Sequence, residues 1–137
     1  MDGKLIKLER RDSLIFVKLG GLVIIVRIRM TVLLEKRTEV KQTLLSMIGP
    51  TENESGCLSC HLSRDVEDRN VFNLIEEWET REFLEEYIKS ERFSVLLGTK
   101  SLLCEPQQIE IHTVCHSEGM EAVNAARGRK PTITQRR

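Results

Sequence analysis

Gly56-Cys57-Leu58-Ser59-Cys60-His61-Leu62-Ser63-Arg64-Asp65-Val66-Glu67-Asp68-Arg69-Asn70-Val71-Phe72-Asn73-Leu74-Ile75-Glu76-Glu77-Trp78 is the stretch that decides the fold. It reads as two strands joined by a charged turn. Asp65 to Asn70 supplies the polar punctuation of a hairpin. Val71 to Trp78 is β-branched and aromatic at its centre, which suits a pleated, half-buried surface. Alternation puts Phe72, Leu74, Glu76 and Trp78 on one face and Val71, Asn73, Ile75 and Glu77 on the other. Neither face is wholly polar, so both are expected to be at least partly covered. Glu76 thus shares a face with the only tryptophan, two residues on.

Upstream, the period is helical. Val40, Leu44, Leu45, Met47 and Ile48 recur at helix spacing, with Thr38 as the expected N-cap and Glu39 in the first turn. Gly49-Pro50 is expected to stop or kink this helix. Before it, Val26, Ile28 and Met30 alternate with Arg27 and Arg29, a strand pattern. Gly20-Gly21 between Ser13–Leu19 and Leu22–Met30 is a hairpin signal, so Ser13–Leu19 reads as an added strand or a leader.

Downstream, Thr80 can cap a helix carrying Phe83, Leu84, Tyr87 and Ile88 on one face. Ser90 can cap a second, with Phe93, Leu96 and Leu97 inward and Gly98 near its end. Pro106 breaks the chain, and Gln108 to His116 alternates as a last strand. Glu118 to Arg127 follows as a short helix before a basic tail.

The order is strand, helix, strand, strand, helix, helix, strand. That is an α+β, ferredoxin-like antiparallel sheet with helices on one face. Its other face would carry isoleucine and valine among polar groups, and a homodimer packing sheet on sheet would cover it. Residues 1–21 read as an N-terminal extension, 22–116 as the domain, and 117–137 as a helix and tail. At 137 residues one domain is expected. Apolar content of 40% and charged content of 31% are ordinary for a globular protein, and the net charge of zero gives no overall field for nucleic acid. The apolar stretch Leu14 to Val26 is interrupted by Lys18 and lacks a small-residue cleavage site, so neither an export signal nor a membrane span is expected.

Gly56-Cys57-Leu58-Ser59, Asp65, Asn70-Val71-Phe72, Glu76-Glu77-Trp78-Glu79 and Ser90-Glu91-Arg92-Phe93 fall in an order and spacing that resemble the antibiotic biosynthesis monooxygenase family. The resemblance covers Leu22 to Cys115 and implies a dimeric α/β barrel. Members include quinol monooxygenases, cofactor-free oxygenases of aromatic polyketides and haem-degrading enzymes. Haem-degrading relatives place a histidine where this chain has Leu97, so haem degradation is disfavoured. Many relatives carry an aromatic residue at the position of Cys60, which leaves the substrate open.

Cys57-Leu58-Ser59-Cys60-His61 also has the c-type haem attachment pattern. On a strand, simple parity sends Cys57 and Cys60 to opposite faces, about 10 Å apart, which disfavours both two thioethers to one porphyrin and a local disulfide. With Cys104 and Cys115, they read as reduced thiols of a cytoplasmic protein. For zinc, Cys57 and His61 would share one strand face, and His112 and His116 another. Strands two and four of this fold lie at opposite edges, about 14 Å apart, so no metal site is expected.

The chemistry that the resemblance implies is cofactor-free oxygenation. A quinol or phenol is deprotonated, and its anion passes an electron to dioxygen. The protein supplies an apolar hollow, a base or hydrogen-bond acceptor, and exclusion of water. Glu76 is the first candidate base, with Trp78, His61 and His112 as further catalytic candidates. Leu74, Asn73, Phe83, Tyr87, Phe93 and Leu97 are the expected substrate-binding residues. The expected partners are an aromatic or quinol-type substrate, dioxygen and a second copy of the chain. The alternative is a non-catalytic dimer of this fold that binds a small molecule. A lesser one is a haem-binding protein.

Overall fold

The structure, a computed structural model, describes residues 4–10, 13–19 and 22–129. Strands β1 (Lys4–Arg10) and β2 (Ser13–Leu19) form a two-stranded antiparallel sheet of their own. Ser13–Leu19 therefore pairs with the segment before it, not with the strand after Gly20-Gly21, and those glycines lie outside the described residues, as does the tail from 130 onward.

The domain follows as β3 (Val23–Thr31), α1 (Arg37–Glu52), β4 (Cys57–Arg64), β5 (Val71–Trp78), α2 (Arg81–Ile88), α3 (Glu91–Gly98), β6 (Gln108–Val114) and α4 (Met120–Ala126). The sheet order is β4-β5-β3-β6, all antiparallel, the ferredoxin-like arrangement. Register places Ile24, Val26, Ile28 and Met30 of β3 opposite Trp78, Glu76, Leu74 and Phe72 of β5. All eight are buried, forming the inner face under the helices. Burying each large aliphatic or aromatic side chain contributes about 1.5–3 kcal/mol, so this row drives the fold.

Helix α1 buries Val40, Leu44, Met47 and Thr51, one stripe at spacings of four, three and four. Leu45 falls off the stripe and is exposed. The helix starts after a 3-10 turn at Leu34–Lys36, and its N-cap position is Lys36, with no side-chain cap, rather than Thr38. It also runs through Gly49-Pro50 to Glu52. Proline disfavours helix in its predecessor partly through the clash with that residue's Cβ, which Gly49 lacks. The helix loses one bond near its end, and the last turn closes where Asn53 N donates to Gly49 O at 3.1 Å. Arg92 adds a bond to the Pro50 carbonyl at 3.3 Å.

Gly56, just before β4, has φ +82, and a Cβ there would lie 2.2 Å from the Phe83 ring. Only glycine allows both the left-handed turn and that approach. Beyond it, β4 carries a bulge. Cys57 pairs with Trp78, yet Ser59 pairs with Glu77 and Cys60 with Glu76, so Leu58 is the extra residue.

Candidate active site

Trp78 and Glu76 project from β5 into the space that α2 and α3 close. Thr80 caps α2 by accepting from Phe83 N at 3.1 Å, and Ser90 caps α3 by accepting from Phe93 N at 3.3 Å. The Ser90 hydroxyl also donates to the Tyr87 carbonyl at 2.6 Å, which ties the two helices together. Leu84 and Tyr87 of α2 and Phe93 and Leu96 of α3 are turned inward. Tyr87 stacks on Trp78, with centroids 4.8 Å apart at 27°, and meets Phe93 edge-on at 5.5 Å and 77°.

Glu76 lies within this aromatic wall, between Val26 and Cys60 on the neighbouring strands. It is fully buried. The Trp78 indole N–H donates to its Oε1 at 3.0 Å. Its other oxygen, Oε2, is buried without a hydrogen-bond partner. Burial raises the carboxyl pKa above its ordinary 4.5, and the Trp78 bond and the nearby Tyr87 hydroxyl only partly oppose this. Tyr87 does not complete a bond to Oε2; its hydroxyl stands 3.5 Å from Thr51 Oγ1. A carboxyl so placed holds its proton to higher pH than an exposed glutamate does, and its ionised form is the stronger proton acceptor for it.

The bulge at Leu58 overturns the parity expected for the cysteines. Cys57 lies opposite Trp78 and packs against the core, on the same face as Cys60, which is buried opposite Glu76. Cys57 and His61, expected on one face, are separated for the same reason, since His61 pairs with Ile75 on the outer face and is exposed. Burial, then the Glu76 charge, push Cys57 up to about 11 and Cys60 up to about 12. Burial likewise pushes the Tyr87 phenol up. The haem-attachment pattern does not fit this geometry, with Cys60 sealed in the core and His61 on the opposite side of the sheet.

The other expected residues divide by face. Leu74 is buried on the inner face, and Phe83 is half-buried against the core. Asn73, His61 and His112 lie on the outer face, opposite Arg29, Ile75 and Ile25 respectively. His61 and His112 stand on the two edge strands, and His112 pairs with Glu110 at 3.2 Å. His116 lies past the end of β6 and meets Glu118 at 2.8 Å. Among the described residues no three histidine, cysteine or acidic side chains group as metal ligands. Leu97, expected to face inward, is 41% exposed. It follows Leu96 by one position, which turns it about 100° around the helix. Thr51 lies past Gly49-Pro50, the pair expected to stop or kink the helix, and so is not among the residues the sequence reading singles out. Its spacing of four from Met47 was the available signal.

The model of the antibiotic biosynthesis monooxygenase family matches residues 23–96, more than half of the chain. The chain belongs to that family. A conserved protein from Methanosarcina mazei Go1 is similar in structure, with 26% identity, TM-score 0.64, and coverage of 68% of this chain and 93% of that one. Rv0793 from Mycobacterium tuberculosis shares 22% identity, with TM-score 0.66 over 71% of this chain and 99% of its own. A crystal structure described as an antibiotic biosynthesis monooxygenase shares 21%, with TM-score 0.63 over 68% and 99%. No curated protein matches the chain.

Proposed function

We propose that the protein is a monooxygenase that works without a cofactor on a quinol or other polyphenolic aromatic small molecule. The observation that carries this is the buried Glu76 carboxyl, with Oε1 held by Trp78 and Oε2 unpartnered, in a wall of aromatic rings. A substrate hydroxyl at Oε2 would satisfy the orphan oxygen. Glu76 would take its proton, and the resulting anion would pass an electron to dioxygen. Burial raises the carboxyl pKa, which makes its ionised form a stronger base than an exposed glutamate. Trp78 orients the carboxylate, while Leu74, Tyr87, Phe93 and Phe83 exclude water. The histidines on the far side of the sheet are left without a part in this step.

The reading includes a homodimer. Ile25 and Ile75 are half-exposed on the outer face, register partners of His112 and His61 on the edge strands. A second copy covering this sheet would remove that apolar surface from water. Family membership supports an oxygen-dependent reaction on a small molecule. Four free thiols suit the reducing cytoplasm, and among the described residues no helix is long and apolar enough to cross a membrane.

Oxygen uptake against a panel of quinols and polyphenols, with and without a metal chelator, tests the proposal. Uptake that survives the chelator is expected. Uptake abolished by the chelator would contradict the cofactor-free mechanism, and silence across the panel would favour a non-catalytic binding protein.

A further inference from the structure

We propose that Tyr87 is a positioning residue for Glu76, its hydroxyl shared between Thr51 and the unpartnered Oε2: it bonds Thr51 while Glu76 is protonated and turns to the carboxylate when Glu76 ionises. The consequence for catalysis rests on reading Glu76 as the base. Thr51, Glu76 and Tyr87 are all buried, each at most 2% exposed. The structure holds the first arrangement. The Tyr87 hydroxyl stands 3.5 Å from Thr51 Oγ1, a contact in which either oxygen can donate, and Oε2 has no partner. Thr43, earlier on α1, donates to the Glu39 carbonyl four residues back at 2.9 Å, whereas the Thr51 hydroxyl has Tyr87 as its partner.

The indole of Trp78 brings Tyr87 to Glu76. Its N–H holds Oε1 at 3.0 Å, and its ring stacks on the Tyr87 ring at 4.8 Å. Burial raises the Glu76 carboxyl, opposed in part by the Trp78 bond and then by the Tyr87 hydroxyl. Burial first and the Glu76 charge second push the Tyr87 phenol up in return. An ionised Oε2 in a water-free core needs a donor, and Tyr87 is the strongest one at hand. β3 presents Val26. β4 presents Cys60, a weak S–H donor, and Cys57, whose thiol donates to the Ser59 carbonyl at 3.5 Å. Both thiols stay neutral, pushed up to about 12 and about 11. On α3, the Arg92 guanidinium is held by the Glu54 carboxylate and the Pro50 carbonyl, and Glu52 at the end of α1 is exposed. Protonation of Glu76 removes the demand and returns the hydroxyl to Thr51.

Trp78 is the only tryptophan, so the isotope-labelled full chain, free of ligand, has one indole N–H resonance, and that proton lies on Oε1. Its chemical shift, followed by NMR from pH 4 to 9, reads the ionisation of Glu76; Glu76→Gln should not titrate. The midpoint should rise in Tyr87→Phe, by at least roughly tenfold in proton affinity, because the ionised carboxylate loses a charge-assisted bond. It should fall in Thr51→Val, where the phenol O–H is left with Glu76 as its acceptor, and stay in place in Thr51→Ser, which keeps the hydroxyl. Merely removing a polar group from the core would raise the midpoint in both Tyr87→Phe and Thr51→Val, so opposite signs single out the shared hydroxyl. An unchanged midpoint in Tyr87→Phe, or a rise in Thr51→Val, would overturn the proposal. So would an indole signal that does not titrate in the wild type, or titrates alike in Glu76→Gln. Opposite shifts in a protein that consumes no oxygen would uphold the role of Tyr87 and remove only the reading of Glu76 as a base.

Discussion

Replacing Glu76 with glutamine should change how stability depends on pH, and the sign follows from burial. The folded-state pKa of Glu76 lies above its ordinary 4.5 because the ionised form is desolvated. A carboxyl with a raised pKa contributes stability fully present below the unfolded value and lost as pH rises through the folded value. Between those limits the folded protein keeps a proton that the unfolded chain has released. Stability then falls by about 1.4 kcal/mol per pH unit from this group alone. Glutamine does not titrate, so the variant lacks that slope. It can still accept from Trp78 through its carbonyl, but its amide faces the empty side of Oε2. That unsatisfied donor costs about 1–3 kcal/mol at every pH. At pH 4 the protonated wild-type carboxyl leaves an O–H unsatisfied on the same side, so the two proteins should be of similar stability there, and the wild type should lose ground to the variant as pH rises above 4.5. Urea unfolding followed by far-UV circular dichroism from pH 4 to 8 measures the difference, in which other titrating groups cancel. Parallel curves for the two proteins would refute the claim that burial perturbs Glu76.

Gly56→Ala should be severely destabilised, by about 3 kcal/mol or more, because it combines a left-handed backbone with a clash against the Phe83 ring; thermal unfolding checks it. Leu96→Ala should cost about 2–5 kcal/mol and Leu97→Ala well under half of that, as urea midpoints would show, since only Leu96 is buried. Thr80→Ala should remove about 1 kcal/mol through the lost cap of α2. The purified protein should sediment as a dimer at micromolar concentration, and a stable monomer would count against the proposed use of the outer sheet face.

Alternation in Val71–Trp78 was enough to place Phe72, Leu74, Glu76 and Trp78 inward, because a period of two leaves no freedom once one face is buried. Thr80 and Ser90 announced α2 and α3 for an equally local reason: the cap bond depends on residues three apart. Failures arose where one residue changed the count or the context. The extra Leu58 reversed the expected facing of Cys57, and no local feature of Cys57–Arg64 marked it. Gly49-Pro50 reads as a stop or a kink, and the helix does not stop there: the glycine relieves the proline clash and Arg92 bonds the Pro50 carbonyl of the last turn. Leu45 and Leu97 were assigned by hydrophobicity, although each lies off its helix's buried stripe. Pairing of Ser13–Leu19 with Lys4–Arg10 is a choice between strand partners that composition does not encode.

The central claim, that Glu76 initiates oxygenation by accepting a substrate proton, is met most directly by oxygen consumption in Glu76→Gln. The variant is first shown to be folded and to quench Trp78 on binding 1,4-naphthohydroquinone. The account predicts chelator-resistant uptake by the wild type on a neutral hydroquinone, rising with pH as Glu76 ionises, and uptake reduced to background in the variant. Full activity in a folded, ligand-binding Glu76→Gln protein would contradict it.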